Sequence, residues 1–250
     1  MRIALLSDLH ANLRALDACL AHARTQGATQ FAFLGDLVGY GAEPSAVVQR
    51  VMDLGEQGAL VLRGNHDTFA VTPAAHASTL GESTALWTHD QLNATERSFL
   101  AGLPLTARLG RALLVHATAD KPEAWRYAYD AQVAGLSLDA ARAEPEVRYV
   151  FGGHVHLQSL YYRGSDDQLI AFHPRSGVTI PVPGHRYWLA TVGSVGQPRD
   201  GDTRAMYAVF DAERATLAFH RVDYDFAAAA RAVRAAGLPA FLADRLEVGR

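Results

Sequence analysis

Five short apolar runs constrain this chain more than anything else in it. They lie at 3–6, 31–34, 59–62, 112–115 and 147–151, and each stops abruptly at a polar segment. The segments that follow read Ser7-Asp8-Leu9-His10, Gly35-Asp36, Arg63-Gly64-Asn65-His66-Asp67, His116 and Gly152-Gly153-His154-Val155-His156. An apolar run of four or five residues between turn signals is the pattern of a strand buried on both faces. Helical spacing links the first three runs. Asn12 can cap a helix to about Arg24 with Leu13, Leu16 and Leu20 on one face, and Glu43-Pro44 opens another with Val47, Val48 and Val51 facing a core. Strand–helix–strand–helix–strand predicts a parallel sheet with right-handed crossovers.

From 68 to 110 the sequence reads mostly helical, with Asn93 and Glu96 spaced as a capping box. Two amphipathic segments are expected at 122–129 and 131–143. Beyond His156 the texture changes: 157–162, 169–172, 187–192, 206–210 and 216–222 are aromatic and β-branched, with turns at 164–167 and 198–202. That pattern predicts an antiparallel meander forming a second sheet packed on the first. An Ala-, Arg- and Leu-rich tail ends the chain, broken near Gly237-Leu238-Pro239. The expected organisation is one domain over 1–250, with a ligand-bearing βαβ part at 1–156, an antiparallel second sheet at 157–222 and a helical tail at 225–247.

In open α/β sheets the pocket forms beyond the carboxyl ends of the strands, so groups far apart in sequence converge there. The convergent set is Asp8, His10, Asp36, Asn65, His66, His116, His154 and His156. Five strand ends of this kind in succession are hard to assign to packing. Two carboxylates, four imidazoles apart from His66 and one amide carbonyl exceed what one tetrahedral ion needs and suit two ions of higher coordination. A carboxylate shared between them, best supplied by Asp36, would hold the ions about 3.5–4 Å apart around a bridging water and clamp a phosphoryl group for in-line attack. Nitrogen and oxygen donors without sulfur suit manganese, iron, zinc or nickel, with manganese the leading expectation.

These segments, in this order, resemble the five signature blocks of the calcineurin-like metallophosphoesterases over roughly the first two thirds of the chain. The resemblance implies a four-layer α/β/β/α sandwich of two mixed sheets flanked by helices, and a two-metal phosphoester hydrolase. It implies one ion on Asp8, His10, Asp36 and His156 and another on Asp36, Asn65, His116 and His154. It also implies a catalytic His66, with Asp67 orienting its ring; on the residues alone His66 as a further ligand stays open. Asp36-Leu37-Val38-Gly39-Tyr40-Gly41 and Gly193-Ser194-Val195-Gly196-Gln197-Pro198-Arg199 resemble loops of a bacterial and archaeal subgroup of small phosphodiesterases and phosphatases. Backbone N–H groups of the second loop are expected to face a phosphate, and Tyr40, Arg199 and Arg63 are the candidate substrate contacts. One residue departs from the family pattern: Ala11 follows His10 where glycine is usual, and alanine there predicts ordinary helical geometry.

Charge and composition narrow the partners. With 23 basic against 26 acidic residues and a formal net charge of -3, the chain has no long-range field for nucleic acid or anionic membrane. A single cysteine, Cys19, excludes an internal disulfide and a thiolate-rich zinc site. No leader pattern or membrane-length apolar window is visible, so a cytoplasmic protein is expected. The expected substrate is a small phosphoester of nucleotide type. A nuclease and a catalytically inactive scaffold of the same fold are the alternatives, and a homodimer is the default by base rate.

Overall fold

The computed structural model describes residues 1–164 and 166–250. The chain runs β1 (Arg2–Leu6), α1 (Leu13–Thr25), β2 (Gln30–Phe33), α2 (Pro44–Glu56) and β3 (Leu60–Val61). Then follow α3 (Asn65–Val71), α4 (Leu80–Gln91), α5 (Ala94–Gly102), β4 (Thr106–Leu109), β5 (Ala112–Val115), α6 (Ala131–Ala141) and β6 (Tyr149–Gly152). The remainder is β7 (Gln158–Arg163), β8 (Leu169–Phe172), β9 (Thr179–Pro181), β10 (Trp188–Val192), β11 (Ala205–Asp211), β12 (Thr216–Val222), α7 (Phe226–Ala235) and α8 (Ala240–Val248).

Local chemistry sets most of these boundaries. The Asn12 side chain accepts from Ala15 N at 3.2 Å and starts α1, which buries Ala15, Leu16, Cys19, Leu20 and Ala23. Thr79 with Glu82 and Asn93 with Glu96 close reciprocal capping boxes on α4 and α5. The segment expected as an amphipathic helix at 122–129 is instead one 3-10 turn, Pro122–Ala124, after which Trp125 takes a left-handed φ of 50°. That residue cannot continue a right-handed helix. The turn expected at 164–167 includes Ser165, which lies outside the described residues.

Two six-stranded mixed sheets stack face to face, in the orders β3-β2-β1-β11-β12-β9 and β4-β5-β6-β10-β7-β8. Both cores follow from period-two alternation along β1. Ile3 and Leu5 point between the sheets to join Phe151, Trp188, Phe210 and Phe219, whereas Ala4 and Leu6 point out against α1 and α2. On the far side Leu113, Val115, Val150 and Leu189 pack on Ala134 and Leu138 of α6. The layers are therefore α/β/β/α.

The division of strands between the sheets differs from the expectation. β5 and β6, from the ligand-bearing part, belong to the second sheet, while β9, β11 and β12 return to the first. The 157–222 stretch is thus not a sheet of its own. β1 shows why. β2 covers one of its edges in parallel, and the other edge needs a partner, which β11 supplies antiparallel with Ile3 opposite Phe210. Strands buried on both faces carry no alternation that would reveal their neighbours. Gln158 ties the sheets together where they meet, its Nε2 lying 3.2 Å from the carbonyls of Val192, Tyr207 and His220. Among the described residues no helix is long and apolar enough to cross a membrane.

Candidate metal centre

Asp8, His10, Asp36, Asn65, His66, His116, His154 and His156 all follow strand ends, and all are buried. The chain reverses sharply at most of them. Asp8, His10, Ala11, Asp36, Tyr40, His154 and His156 have φ between 45° and 65°, a region that costs a residue with a side chain about 1–2 kcal/mol. Ala11 is among them, against the expectation of helical geometry. Its N–H donates to Leu37 O at 3.0 Å and its carbonyl accepts from Glu43 N at 3.0 Å, which hold the turn regardless of the methyl group.

Each carboxylate spends one oxygen on the backbone of another ligand-bearing segment. Asp8 Oδ2 accepts from His154 N at 2.9 Å and Asp36 Oδ1 from His66 N at 2.8 Å. The other oxygens face the imidazoles. Asp8 Oδ1, which has no hydrogen-bond partner among the described residues, lies 3.2 Å from His156 Nε2, and Asp36 Oδ2 lies 3.3 Å from His116 Nε2. Burial works against ionising both acids. The imidazoles, chiefly His156 for Asp8 and His116 for Asp36, nevertheless hold them well below the usual carboxylate range.

The tautomers follow from the outer partners of the rings. His10 Nδ1 faces Val38 O at 3.2 Å, His116 Nδ1 faces Leu34 O at 2.8 Å, His154 Nε2 faces Trp125 O at 2.8 Å and His156 Nδ1 faces Gln197 O at 2.6 Å. A carbonyl only accepts, so each of these nitrogens carries the hydrogen, and in the neutral ring the inward nitrogen is a bare lone pair. Burial pulls His10 well below its ordinary value and His154 down to about 4, keeping both neutral. Burial also opposes charge on His116, but the Asp36 carboxylate raises it to about 9.

The inward nitrogens stand close together. His10 Nε2 and His156 Nε2 are 3.0 Å apart, and His116 Nε2 lies 3.1 Å from His154 Nδ1 and 3.2 Å from Asn65 Oδ1. Around Asp8, the lone pair of neutral His10 and a carboxylate oxygen without a donor, buried and aimed at one another, repel unless a cation lies between them, whereas around Asp36 a proton on His116 fills that role until an ion replaces it. The spacing fits one: two adjacent ligands, each about 2.1 Å from a shared ion, stand about 3 Å apart. Asp8, His10 and His156 form one such group, Asp36, His116 and His154 another, and His10, Asp36 and His66 a third that overlaps both.

His66 sits beside these groups on α3. Its ring is 4.3 Å from that of Tyr40 and 5.0 Å from that of His10, and a Cβ on Gly39 or Gly81 would lie 2.5 or 2.8 Å from it. Burial, against the pull of Asp36, lowers it to about 4. Asp67 does not orient that ring. Its Oδ1 accepts from Leu37 N at 2.8 Å and Val38 N at 3.2 Å, and its Oδ2 from Gly64 N at 2.8 Å. The carboxylate is saturated by backbone donors and clips the 36–38 turn to the start of α3.

Two more expectations change. In the 193–196 loop, Val195 N donates to Ser7 O and Gly196 N to Asp8 O, both at 2.9 Å, and Ser194 Oγ donates to Asp8 O at 2.8 Å. The loop braces the Asp8 segment from behind instead of offering donors to a phosphate. Gly196 is required there because a Cβ would lie 1.9 Å from Leu9 O. Arg63 is turned to the end of α5, its Nη1 donating to Ala101 O at 3.1 Å. Tyr40 does reach the centre, its ring 4.8 Å from that of His10, and Arg199 lies behind it. The Arg199 guanidinium lies 5.8 Å from the Tyr40 ring, and its Nη2 donates to Gln197 Oε1 at 2.9 Å.

Sequence reasoning missed the 125–129 segment. Trp125 supplies the carbonyl for His154, and Tyr127 stacks on His154 at 3.9 Å with Tyr129 stacked behind it at 5.1 Å. The alternation Trp125-Arg126-Tyr127-Ala128-Tyr129 was the available signal; it is an extended period of two, not a helical one.

Comparison with known proteins agrees with this geometry. A family model described as the calcineurin-like phosphoesterase superfamily domain matches residues 1–215. An uncharacterised protein of Methanocaldococcus jannaschii, MJ0912, is 31% identical over 254 residues, covering 99% of this chain and 98% of that protein. The crystal structure of a metallophosphoesterase from Sphaerobacter thermophilus superposes with a TM-score of 0.86 at 34% identity, covering 100% of this chain and 99% of that one. The hypothetical protein PH1004 from Pyrococcus horikoshii OT3 shares the fold, with a TM-score of 0.78 at 18% identity over 100% of this chain and 98% of its own. Matched along most of its length by the family model and along all of it by a metallophosphoesterase structure, this chain belongs to the calcineurin-like phosphoesterase superfamily.

Proposed function

We propose that the chain hydrolyses small phosphoesters, of nucleotide type, with a pair of divalent cations. The observation that carries this reading is the doubled set of inward-facing donors, one around Asp8 and one around Asp36. Asp8, His10, Asp36 and His156 would hold one ion, and Asp36, Asn65, His116 and His154 the other, with manganese the preferred metal. Such a pair would supply a nucleophilic water at neutral pH and offset the charge of the phosphoryl group.

The chain's own residues have separable tasks. The carbonyls of Leu34, Val38, Trp125 and Gln197 fix the four ring orientations, so the donors need no rearrangement when they bind. His66, neutral and wedged between glycines, presents an N–H to the departing oxygen. Tyr40 and Arg199 offer a hydroxyl and a guanidinium to phosphoryl oxygens that take no part in bond breaking. Asp67 acts only by positioning.

The test is hydrolysis of bis-p-nitrophenyl phosphate and p-nitrophenyl phosphate with Mn²⁺, beside an Asp36→Ala control. Turnover that depends on metal and on Asp36 is expected. A parent protein no faster than the control on any phosphoester of a broad panel would end the proposal.

A further inference from the structure

The buried groups of the metal centre are not sealed equally. Asp8, His10, Asp36, His116 and His156 keep between 0% and 2% of their surface, whereas His154, His66 and Asn65 keep 4%, 6% and 7%, so the centre opens towards solvent on that side. A stack of rings leaves the centre from the same side. It runs from His154 to Tyr127 to Tyr129, with planes 18° and then 7° apart, and exposure rises along it to 45% and 56%.

Packing does not account for these two tyrosines. Among the described residues neither ring joins an apolar cluster of the core. Single exposed apolar side chains are ordinary; two stacked rings that begin on a candidate metal ligand are not. Their backbone is held at three points. Trp125 O faces His154 Nε2 at 2.8 Å, Tyr129 O accepts from the Tyr161 hydroxyl at 3.3 Å, and the Asp130 side chain accepts from Val133 N at 2.9 Å to start α6. The rings are thus presented from a fixed segment, which spares a ligand the cost of ordering it. Rings in contact lie about 3.5 Å apart, so a centroid separation of 5.1 Å means that Tyr127 and Tyr129 are slid past each other by roughly 3.7 Å. Part of the Tyr127 face is left uncovered, and among the described residues no further ring stacks on the outer face of Tyr129.

We propose that Tyr127 and Tyr129 form a stacking platform for the base of a nucleotide whose phosphoryl group sits at the metal centre. The inference rests on the hydrolase reading above and deepens it by assigning the part of the site that holds the base. A flat ring extends a stack of rings, and every base has a π-face, so the ledge takes purines and pyrimidines without reading their edges. The first ring of the stack lies 3.9 Å from that of a candidate ligand. Base and phosphate are therefore held side by side, as the two ends of one nucleotide require. A sugar phosphate without a base leaves both tyrosines in water.

The experiment compares substrates with and without a base: adenosine 5′-monophosphate against ribose 5-phosphate, and thymidine 5′-monophosphate p-nitrophenyl ester against methyl p-nitrophenyl phosphate. With Mn²⁺ present, kcat/KM is measured for the parent, Tyr129→Ala, Tyr129→Phe and a control, Phe172→Ala, which removes another exposed ring, from β8. The parent is expected to prefer the base-bearing member of at least one pair. Tyr129→Ala should lower that preference about 10- to 100-fold, Tyr129→Phe should keep it, and the control should not change it. Adenosine 5′-monophosphate and ribose 5-phosphate titrated calorimetrically into His66→Gln protein, with and without Tyr129→Ala, read the same preference as affinity, without turnover. Preferential binding of the nucleotide there that Tyr129→Ala removes, beside a parent that hydrolyses no phosphoester, would count against the hydrolase reading and leave the platform standing. Three results would overturn the platform: no preference by either readout, a Tyr129→Ala protein with the parent's preference in both pairs, or a Tyr129→Phe protein as impaired as Tyr129→Ala.

Discussion

His66 is held by shape more than by hydrogen bonds, and Gly81→Ala tests what that grip does. Gly81 is the second residue of α4, and a Cβ placed on it would lie 2.8 Å from His66 Cε1 and 3.3 Å from Nε2. Ordinary carbon contacts begin near 3.5 Å, so the ring has to retreat by roughly 0.7 Å. The helix itself gains, because alanine replaces glycine at a right-handed position, by about 0.5–1 kcal/mol. That gain and the cost of shifting the ring nearly cancel. At about 2.1 cal/mol/K per residue of unfolding entropy, Tm should stay within about 2 °C of the parent. Catalysis is less tolerant: a displacement approaching 1 Å costs up to about 100-fold. Steady-state kinetics on bis-p-nitrophenyl phosphate should show kcat reduced about 10- to 100-fold with KM little changed. Gly39→Ala presses the same ring from the other side, with a Cβ 2.5 Å from Nδ1, but at a φ of +88°. It should lose a similar share of kcat and several degrees of Tm as well. Parent-like kcat in a correctly folded Gly81→Ala protein would show that the position of His66 does not govern the reaction. A Tm drop of more than about 5 °C would show that the helix yields and not the ring.

Metal binding should be visible without turnover. At a free Mn²⁺ concentration of about 100 times Kd, two sites add about 5 kcal/mol, or roughly 10 °C in Tm, reversed by a chelator. Elemental analysis should find two ions per chain, and fewer than one would contradict the ligand assignment. Asp67→Asn keeps one acceptor oxygen but loses the other from its backbone donors, and should destabilise the fold by about 1–3 kcal/mol in denaturant titration. Stability should also fall on acidification through His220. Its Nε2 has no partner among the described residues, and burial, then His22, push it down to about 4. Because the folded value lies below the unfolded one of about 6.5, its contribution is complete above pH 6.5 and is lost as pH falls towards 4. After allowance for solvent screening this amounts to about 2 kcal/mol, and His220→Gln should flatten that part of the curve.

The candidate ligands were legible because each ends an apolar strand, and a strand end is a local signal. Asp8, Asp36, His116 and His154 could be picked out without knowing which strands are neighbours. Sheet membership could not, since β5, β6 and β11 are buried throughout and their sequences look alike whichever sheet they join. The role of Asp67 was hidden for a related reason: its partners, the N–H groups of Leu37 and Val38, carry no side-chain signature. The same holds for the 193–196 loop, where glycine and serine suit a phosphate cradle and a brace equally well.

The pairing of β1 with β11 bears on how the molecule is made. Arg2 lies opposite Asp211, a separation of more than two hundred residues, so the strand that leads to Asp8 and His10 has one open edge until β11 has been synthesised. During translation that edge is exposed to any strand of suitable sequence, including one from a neighbouring nascent chain. Asp8 and His10 are therefore made early but locked in place late, and any ion they captured at once would be held by an unfinished sheet.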